Sequence, residues 1–312
     1  MKRYLFNGLA VFVLILFVGP VLIHQVLKPE GRRFRAVRLE DTKYTEVSFQ
    51  NTSQKLSLAA LLFVPEGDGP FPAVVIVHGS GTSSRDNGWY LTLTDYLQTN
   101  GIIVLLPDKR GSEKSGGNWR NSSLEDLATD TISAIDYLKK QKEVPVSSIG
   151  IVGMSEGGRI APIIANESSD VAFVVNVVGG ALSSHDQLFY EENYNVQEMG
   201  FLPGISNIVS YFSTYSLIYL RQKEFWDAVG DFDPVPHWEK VSTPALVLYG
   251  KKDTNVNSAA SARLLNGLKK QNITVKVFEG SGHPLEDPVG TGNSIFRIDA
   301  LNEIGDFVKT NS

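Results

Sequence analysis

The chain has 312 residues, no cysteine, and a net charge of −5 from 34 acidic and 29 basic residues. That excludes disulfides, thiol nucleophiles and thiolate-held metals, and leaves no basic field for nucleic acid. At 42% hydrophobic and 20% charged, it has ordinary globular composition, enough for one large domain or a domain with an insertion.

Lys2 and Arg3 are followed by YLFNGLAVFVLILFVGPVLI, Tyr4 to Ile23, which carries no charge. About 20 residues at roughly 1.5 Å each span a bilayer core. No small-x-small cleavage site follows. Residues 1–28 therefore read as an N-terminal membrane anchor (an uncleaved signal), ahead of a cleaved signal or a buried core helix. The basic start argues for an N-terminus in the cytoplasm, although Lys28, Arg32, Arg33, Arg35 and Arg38 pull the other way. The expectation is a membrane-anchored protein with its folded domain outside the cytoplasm. Residues 29–43 read as a linker and 44–312 as the folded domain.

From Tyr44 onward, YTEVSF and LSLAALLFVP alternate as antiparallel strands. Short apolar runs follow: Pro72–Gly79, Gly101–Asp108, Ser148–Gly153, Ala172–Gly180, Pro244–Gly250 and Thr274–Gly280. Near-continuous apolar runs suit parallel strands covered on both faces. Ser123–Gln141 between them reads as a helix, with Ser122 and Glu125 placed as its capping box. Such alternation predicts an α/β fold, a mostly parallel sheet with helices on both faces. It stops between about 183 and 240, a stretch rich in aromatic residues and helical in pattern. That stretch is too long for a connection and reads as an inserted helical cap. Phe189, Tyr190, Phe201, Tyr211, Phe212, Tyr215, Phe225 and Trp226 lie there. About half of them are expected to roof a largely apolar pocket and the rest to pack on the sheet.

Ligands of open α/β sheets bind at the carboxyl ends of the strands. The residues just past those ends are His78-Gly79-Ser80-Gly81, Asp108-Lys109-Arg110, the turn Gly153-Met154-Ser155-Glu156-Gly157, Asp253 and His283. The G-x-S-x-G turn by itself is a weak signal. It gains force from its place between a strand and a helix, and from the chain order Ser, Asp, His.

HGSG (78–81), DKRGSEKSGG (108–117), GMSEGG (153–158), GKKD (250–253) and GSGH (280–283) together resemble the α/β-hydrolase superfamily. The likeness is to its bacterial esterase and serine-aminopeptidase-like branch and runs from about Tyr44 to Lys309. Met154 departs mildly from the pattern, since His is frequent there. The resemblance implies Ser155 as nucleophile, His283 as base and Asp253 as the carboxylate that orients it. It also implies an oxyanion hole formed by the backbone N–H groups of Glu156 and Ser80, with Gly81 as the fallback for the second. His78 takes a structural role, and Asp108 is expected to brace a loop with Arg110. The Glu156 side chain is expected to pair with Arg159 or Lys109. Glu191, Glu192 and Glu198 could hold a substrate amine or simply form a solvated face. No H-E-x-x-H and no G-x-G-x-x-G after the first strand is present, so neither metal nor nucleotide cofactor is expected. The expected function is a serine hydrolase cleaving carboxylic esters of a small-molecule acyl substrate. Peptide or amide hydrolysis and thioester hydrolysis are the alternatives, and a non-catalytic binding module is the alternative of a different class.

Overall fold

The structure, a computed structural model, describes residues 19–28, 31–142 and 144–312. Tyr4 to Val18, most of the expected membrane segment, lies outside the described residues. Residues 19–27 are helical, and among the described residues no helix is long and apolar enough to cross a membrane.

The strands are β1 (Thr45–Asn51), β2 (Leu56–Phe63), β3 (Phe71–Val77), β4 (Ile103–Pro107), β5 (Val146–Met154), β6 (Val171–Val177), β7 (Ala245–Gly250) and β8 (Ile273–Phe278). They form one sheet in the order β1-β2-β4-β3-β5-β6-β7-β8. Strand β2 runs antiparallel to both neighbours, and every other pair is parallel. The helices are α1 (Gly88–Thr99), α2 (Leu124–Lys140), α3 (Glu156–Glu167), α4 (Ser184–Glu198), α5 (Pro203–Ser216), α6 (Lys223–Val229), α7 (Val235–Lys240), α8 (Ser258–Gly267) and α9 (Ile298–Thr310).

Strand periodicity sorts the core into two layers. Ala73, Val75, Val77, Ile149 and Ile151 turn to the face covered by α2, α3, α7 and α8, where they meet Ile135, Leu138, Ile160, Trp238 and Leu265. Val74, Ile76, Val152 and Met154 turn to the other face, against Leu93 and Leu97 of α1 and Ile304 and Val308 of α9. Both faces of the sheet are thus buried, which is why the runs read as continuously apolar.

The cap of helix α2 lies one residue later than expected. The Ser123 hydroxyl accepts from the Asp126 N–H and the Asp126 carboxylate from the Ser123 N–H, both at 3.1 Å. Ser122 instead accepts from Arg110 and donates to the Asn118 carbonyl. The described part of the expected linker is fastened to the domain. The Arg35 N–H donates to Asn293 O at 2.9 Å and the Ile295 N–H to Arg35 O at 2.9 Å. Between β6 and β7 lie α4, α5, a π-helical turn (Leu217–Arg221), α6 and α7, with no strand among them. The stretch from α4 to α6 is the helical insertion and stands over the carboxyl ends of β3, β5, β6 and β7, whereas α7, expected within it, packs on the sheet face through Trp238.

Candidate active site

Strand β5 ends at Met154, and α3 begins at Glu156. Ser155 turns the corner at φ 55°, ψ −119°, a strained conformation for a residue with a side chain. Its N–H donates to Val177 O at 2.8 Å, and its carbonyl accepts from the Gly158 N–H at 2.9 Å. The flanking glycines are required sterically. A Cβ on Gly157 would stand 2.0 Å from Val77 O, and one on Gly153 2.3 Å from Gly157 O. Helix and strand can approach this closely only without those side chains, and the approach lifts the Ser155 hydroxyl above the sheet edge.

Asp253 follows β7. Its Oδ1 accepts the N–H groups of Asn255 and Val256, each at 2.8 Å, and Oδ2 lies 2.8 Å from His283 Nδ1. The carboxylate is wholly buried. Since a carboxylate accepts, the imidazole carries its proton on Nδ1, leaving Nε2 free to accept. That Nε2 is 3.0 Å from Ser155 Oγ. His283 sits in the loop after β8. The Glu286 carboxylate accepts the Gly282 N–H at 2.9 Å, and Trp89 donates to the adjoining Pro284 carbonyl at 2.8 Å while its ring packs beside the imidazole. The structure therefore brings Ser155, His283 and Asp253 into one hydrogen-bonded chain.

The expected oxyanion donors line the same cavity. Ser80, Gly81, Glu156, Ser155 and His283 share its wall. Tyr90 OH occupies the Gly79 N–H at 2.8 Å. Among the described residues no protein acceptor takes the N–H of Ser80, Gly81 or Glu156. The Glu156 N–H opens α3, where the helix dipole favours developing negative charge. Lys109 joins the two donor segments: its ammonium donates to Gly79 O at 2.9 Å and to Glu156 Oε1 at 2.7 Å. Of the two partners expected for Glu156, Lys109 is the one taken.

Other side chains depart from expectation. Asp108 braces Arg85, not Arg110, through contacts of 2.9 and 2.8 Å. Arg110 is taken by Asp130 at 2.6 and 2.8 Å. Arg159 turns to the cap instead of to Glu156. It donates to the carbonyls of Gly180, Leu182 and Phe232 and to Ser184 Oγ. Burial with no carboxylate in contact lowers its pKa to about 10. His78 is buried, donates from Nε2 to Pro107 O at 2.6 Å and has its pKa driven down to about 4 by desolvation. The Tyr90 ring packs tilted against it at 4.5 Å, and burial pushes the Tyr90 pKa up to about 12. Trp89 and Tyr90 escaped the sequence reading. Both open helix α1, and neither belongs to a motif.

Above Ser155 lies a cavity of about 1130 Å³. It is not largely apolar. Trp89, Trp119, Leu188, Leu220, Phe225 and Trp226 share its wall with Arg159, Glu191, Glu192, Arg221, Lys223 and Glu224. Glu191 accepts from Asn255 Nδ2 at 2.9 Å, and burial raises its pKa. Glu192 accepts from Ser213, and Glu198 pairs with Lys28 at the surface. Of the cap's expected roof aromatics only Phe225 and Trp226 reach the wall, while Tyr211, Phe212 and Tyr215 are exposed. Among the described residues no group of three or more His, Asp and Glu is arranged to hold a metal.

Residues 132–292, just over half of the chain, match the family BAAT / Acyl-CoA thioester hydrolase C terminal, and residues 58–197 match the dienelactone hydrolase family. Among curated proteins, the esterase EstD of Thermotoga maritima is 24% identical over 241 residues, covering 72% of this chain and 57% of its own. The peroxisomal succinyl-coenzyme A thioesterase of Mus musculus is 23% identical over 245 residues, covering 73% and 52%. Acylamino-acid-releasing enzyme 1 of Oryza sativa is 25% identical over 283 residues, covering 83% and 34%. The chain thus spans less than two thirds of the length of these relatives. An esterase of Pyrococcus furiosus superposes with a TM-score of 0.64 at 20% identity, over 90% of this chain and 96% of that one. Est1E of Butyrivibrio proteoclasticus, with ferulic acid bound, gives 0.59 at 17% identity, over 85% and 98%.

Proposed function

The chain belongs to the α/β-hydrolase superfamily, in the part described by the BAAT / acyl-CoA thioester hydrolase C-terminal family, and from that premise we propose that it is a serine hydrolase cleaving carboxylic esters through an acyl-enzyme. The observation that carries this reading is the relay Ser155–His283–Asp253, with contacts of 3.0 and 2.8 Å. A serine hydroxyl attacks a carbonyl only as it loses its proton. Here His283 Nε2 takes that proton while Ser155 Oγ bonds to the acyl carbon. The carbonyl oxygen becomes an oxyanion facing the N–H groups of Glu156 and Ser80. Collapse breaks the bond to the leaving oxygen, which receives the proton from Nε2 and departs as the alcohol. Water then repeats the sequence on the acyl-enzyme, returning the proton to Ser155 and releasing the acid. The buried Asp253 carboxylate fixes the tautomer and stabilises the imidazolium throughout.

Glu191 favours a second reading. Its carboxyl borders the cavity beside the relay and fits a substrate amine, which would make the cleaved group an amide. One panel separates the readings: p-nitrophenyl esters of graded length, an acyl thioester and aminoacyl p-nitroanilides, assayed with wild type, Ser155→Ala and Glu191→Gln. Ester turnover is expected to dominate and to fall by roughly 10³ or more in Ser155→Ala. Ser155→Ala turning over esters within tenfold of wild type would rule out the mechanism. Anilide turnover that exceeds ester turnover and is lost in Glu191→Gln would establish the second reading.

A further inference from the structure

Helix α5 is turned inside out. Its small polar residues Ser206, Ser210 and Thr214, four apart, are buried, the first two completely. Its large apolar residues face outward: Ile208, Tyr211, Phe212 and Tyr215, continued through the π-helical turn by Tyr219 and Leu220. Phe212 is 65% exposed and Leu220 70%. A helix on a water-facing cap normally shows the opposite pattern. From Gly200 to Leu220 the chain carries no Asp, Glu, Lys, Arg or His, and Arg221 and Lys223 follow at once.

Two further observations identify what covers this face. The first is continuity with the uncharged run Tyr4–Ile23. The helical residues 19–27 meet the cap at Gly200, where an added Cβ would stand 2.8 Å from Pro20 O and 2.6 Å from His24 Cβ. They bring Leu22, Ile23, Val26 and Leu27, all exposed, and Lys28 pairs with Glu198 at 3.6 Å. The second is chemistry. Tyrosines at 211, 215 and 219 present an apolar body with a polar tip, the side chain that settles at a bilayer's headgroup level. Leu217, Leu220 and Arg221 of the same turn also line the cavity above Ser155. We propose that α5 and the π-helical turn lie on a lipid bilayer and that the site takes membrane-partitioned acyl esters from it. The substrate half of this proposal rests on the esterase reading.

The absence of cysteine makes the test direct. Phe212→Cys in the full chain is labelled with an environment-sensitive nitrobenzoxadiazole and mixed with vesicles of equimolar phosphatidylcholine and phosphatidylglycerol. Glu125→Cys on the exposed side of α2 serves as control. The Phe212 label is expected to brighten several-fold, shift to the blue and be quenched by acyl-chain nitroxide lipid, whereas the Glu125 label stays unchanged. A Phe212 label that does not respond on protein floating with the vesicles overturns the docking face. So does a label already shielded without lipid on a chain that scatters light as a dimer, because a second copy then covers the face. Turnover of p-nitrophenyl acetate by the same labelled protein reads the esterase assignment separately. Insertion without turnover keeps the docking face and overturns the substrate class. In Ile208→Gln/Tyr211→Gln/Phe212→Gln, turnover of a vesicle-borne long-chain ester is expected to drop about tenfold with acetate turnover unchanged. An equal effect on both esters, or on neither, overturns delivery from the bilayer.

Discussion

His78 illustrates how one buried group ties the site to pH. Its ring is held neutral, with a pKa of about 4 against an ordinary 6.5, because burial disfavours the cation. The unfolded chain protonates this residue near 6.5. As pH falls from 7 toward 4, the unfolded state therefore gains a proton that the folded state refuses, and stability declines across that window. The loss traceable to His78 between pH 7 and pH 4.5 is about 2 kcal/mol. Urea unfolding of wild type and His78→Gln at both values checks this. The variant is expected to lose about 2 kcal/mol less over the interval, and an identical pH slope would assign the acid sensitivity elsewhere.

Between elements, the contact that matters is the one Lys109 makes from the end of β4 to the loop after β3 and the first turn of α3. It holds the carbonyl of Gly79 and the carboxylate of Glu156 on one ammonium, so it spaces the two segments that carry the oxyanion donors. Removing a donor outright costs about 10²–10³ in rate, and loosening two is expected to cost less. Lys109→Met should lower kcat on a short ester about 10–100-fold with little change in KM. Lys109→Met/Glu156→Gln, which removes the stranded carboxylate, should recover thermal stability and leave kcat low. Joint recovery of both would reduce the tie to ordinary packing.

Elements of this kind differ in how far the sequence reveals them. The strands were legible because a sheet buried on both faces writes itself as unbroken apolar runs, and Ser155, Asp253 and His283 were legible because they follow such runs directly. The tie from Lys109 was half legible. Charge named Lys109 and Arg159 as rival partners for Glu156, and only the cap's path, which draws Arg159 away, decides between them. The aromatic residues of α5 were misjudged because a count of rings does not say which side of a helix faces the protein. The usual assumption, apolar side inward, fails where Ser206, Ser210 and Thr214 take the buried side.

At the scale of the whole molecule, the site is assembled from the ends of β3, β5, β7 and β8 beneath a roof from a separate stretch of chain. Floor and roof are joined where Glu191 and Gln187 meet Asn255 and Tyr190 donates to the Asp253 carbonyl, and one buried side chain reaches both ends of the roof. Arg159, on α3 one turn past Ser155, holds Gly180, Leu182 and Ser184 where the cap begins and Phe232 where it ends. Both ends of the insertion are therefore fastened to the helix that starts at the nucleophile.

That fastening has a consequence in time. A roof that had to swing aside before each first encounter would delay the approach to steady state, and the delay would report the swing. With both ends held by one guanidinium and the first cap helix tied to the loop after β7, the roof is expected to need no such swing, and the first turnover should run at the speed of the thousandth. Stopped-flow traces of p-nitrophenyl acetate hydrolysis are expected to show no lag after mixing. Arg159→Met, which removes the tie common to both ends, should introduce one that lengthens on cooling. A lag in the wild-type trace would mean that the fastening yields faster than its four bonds suggest.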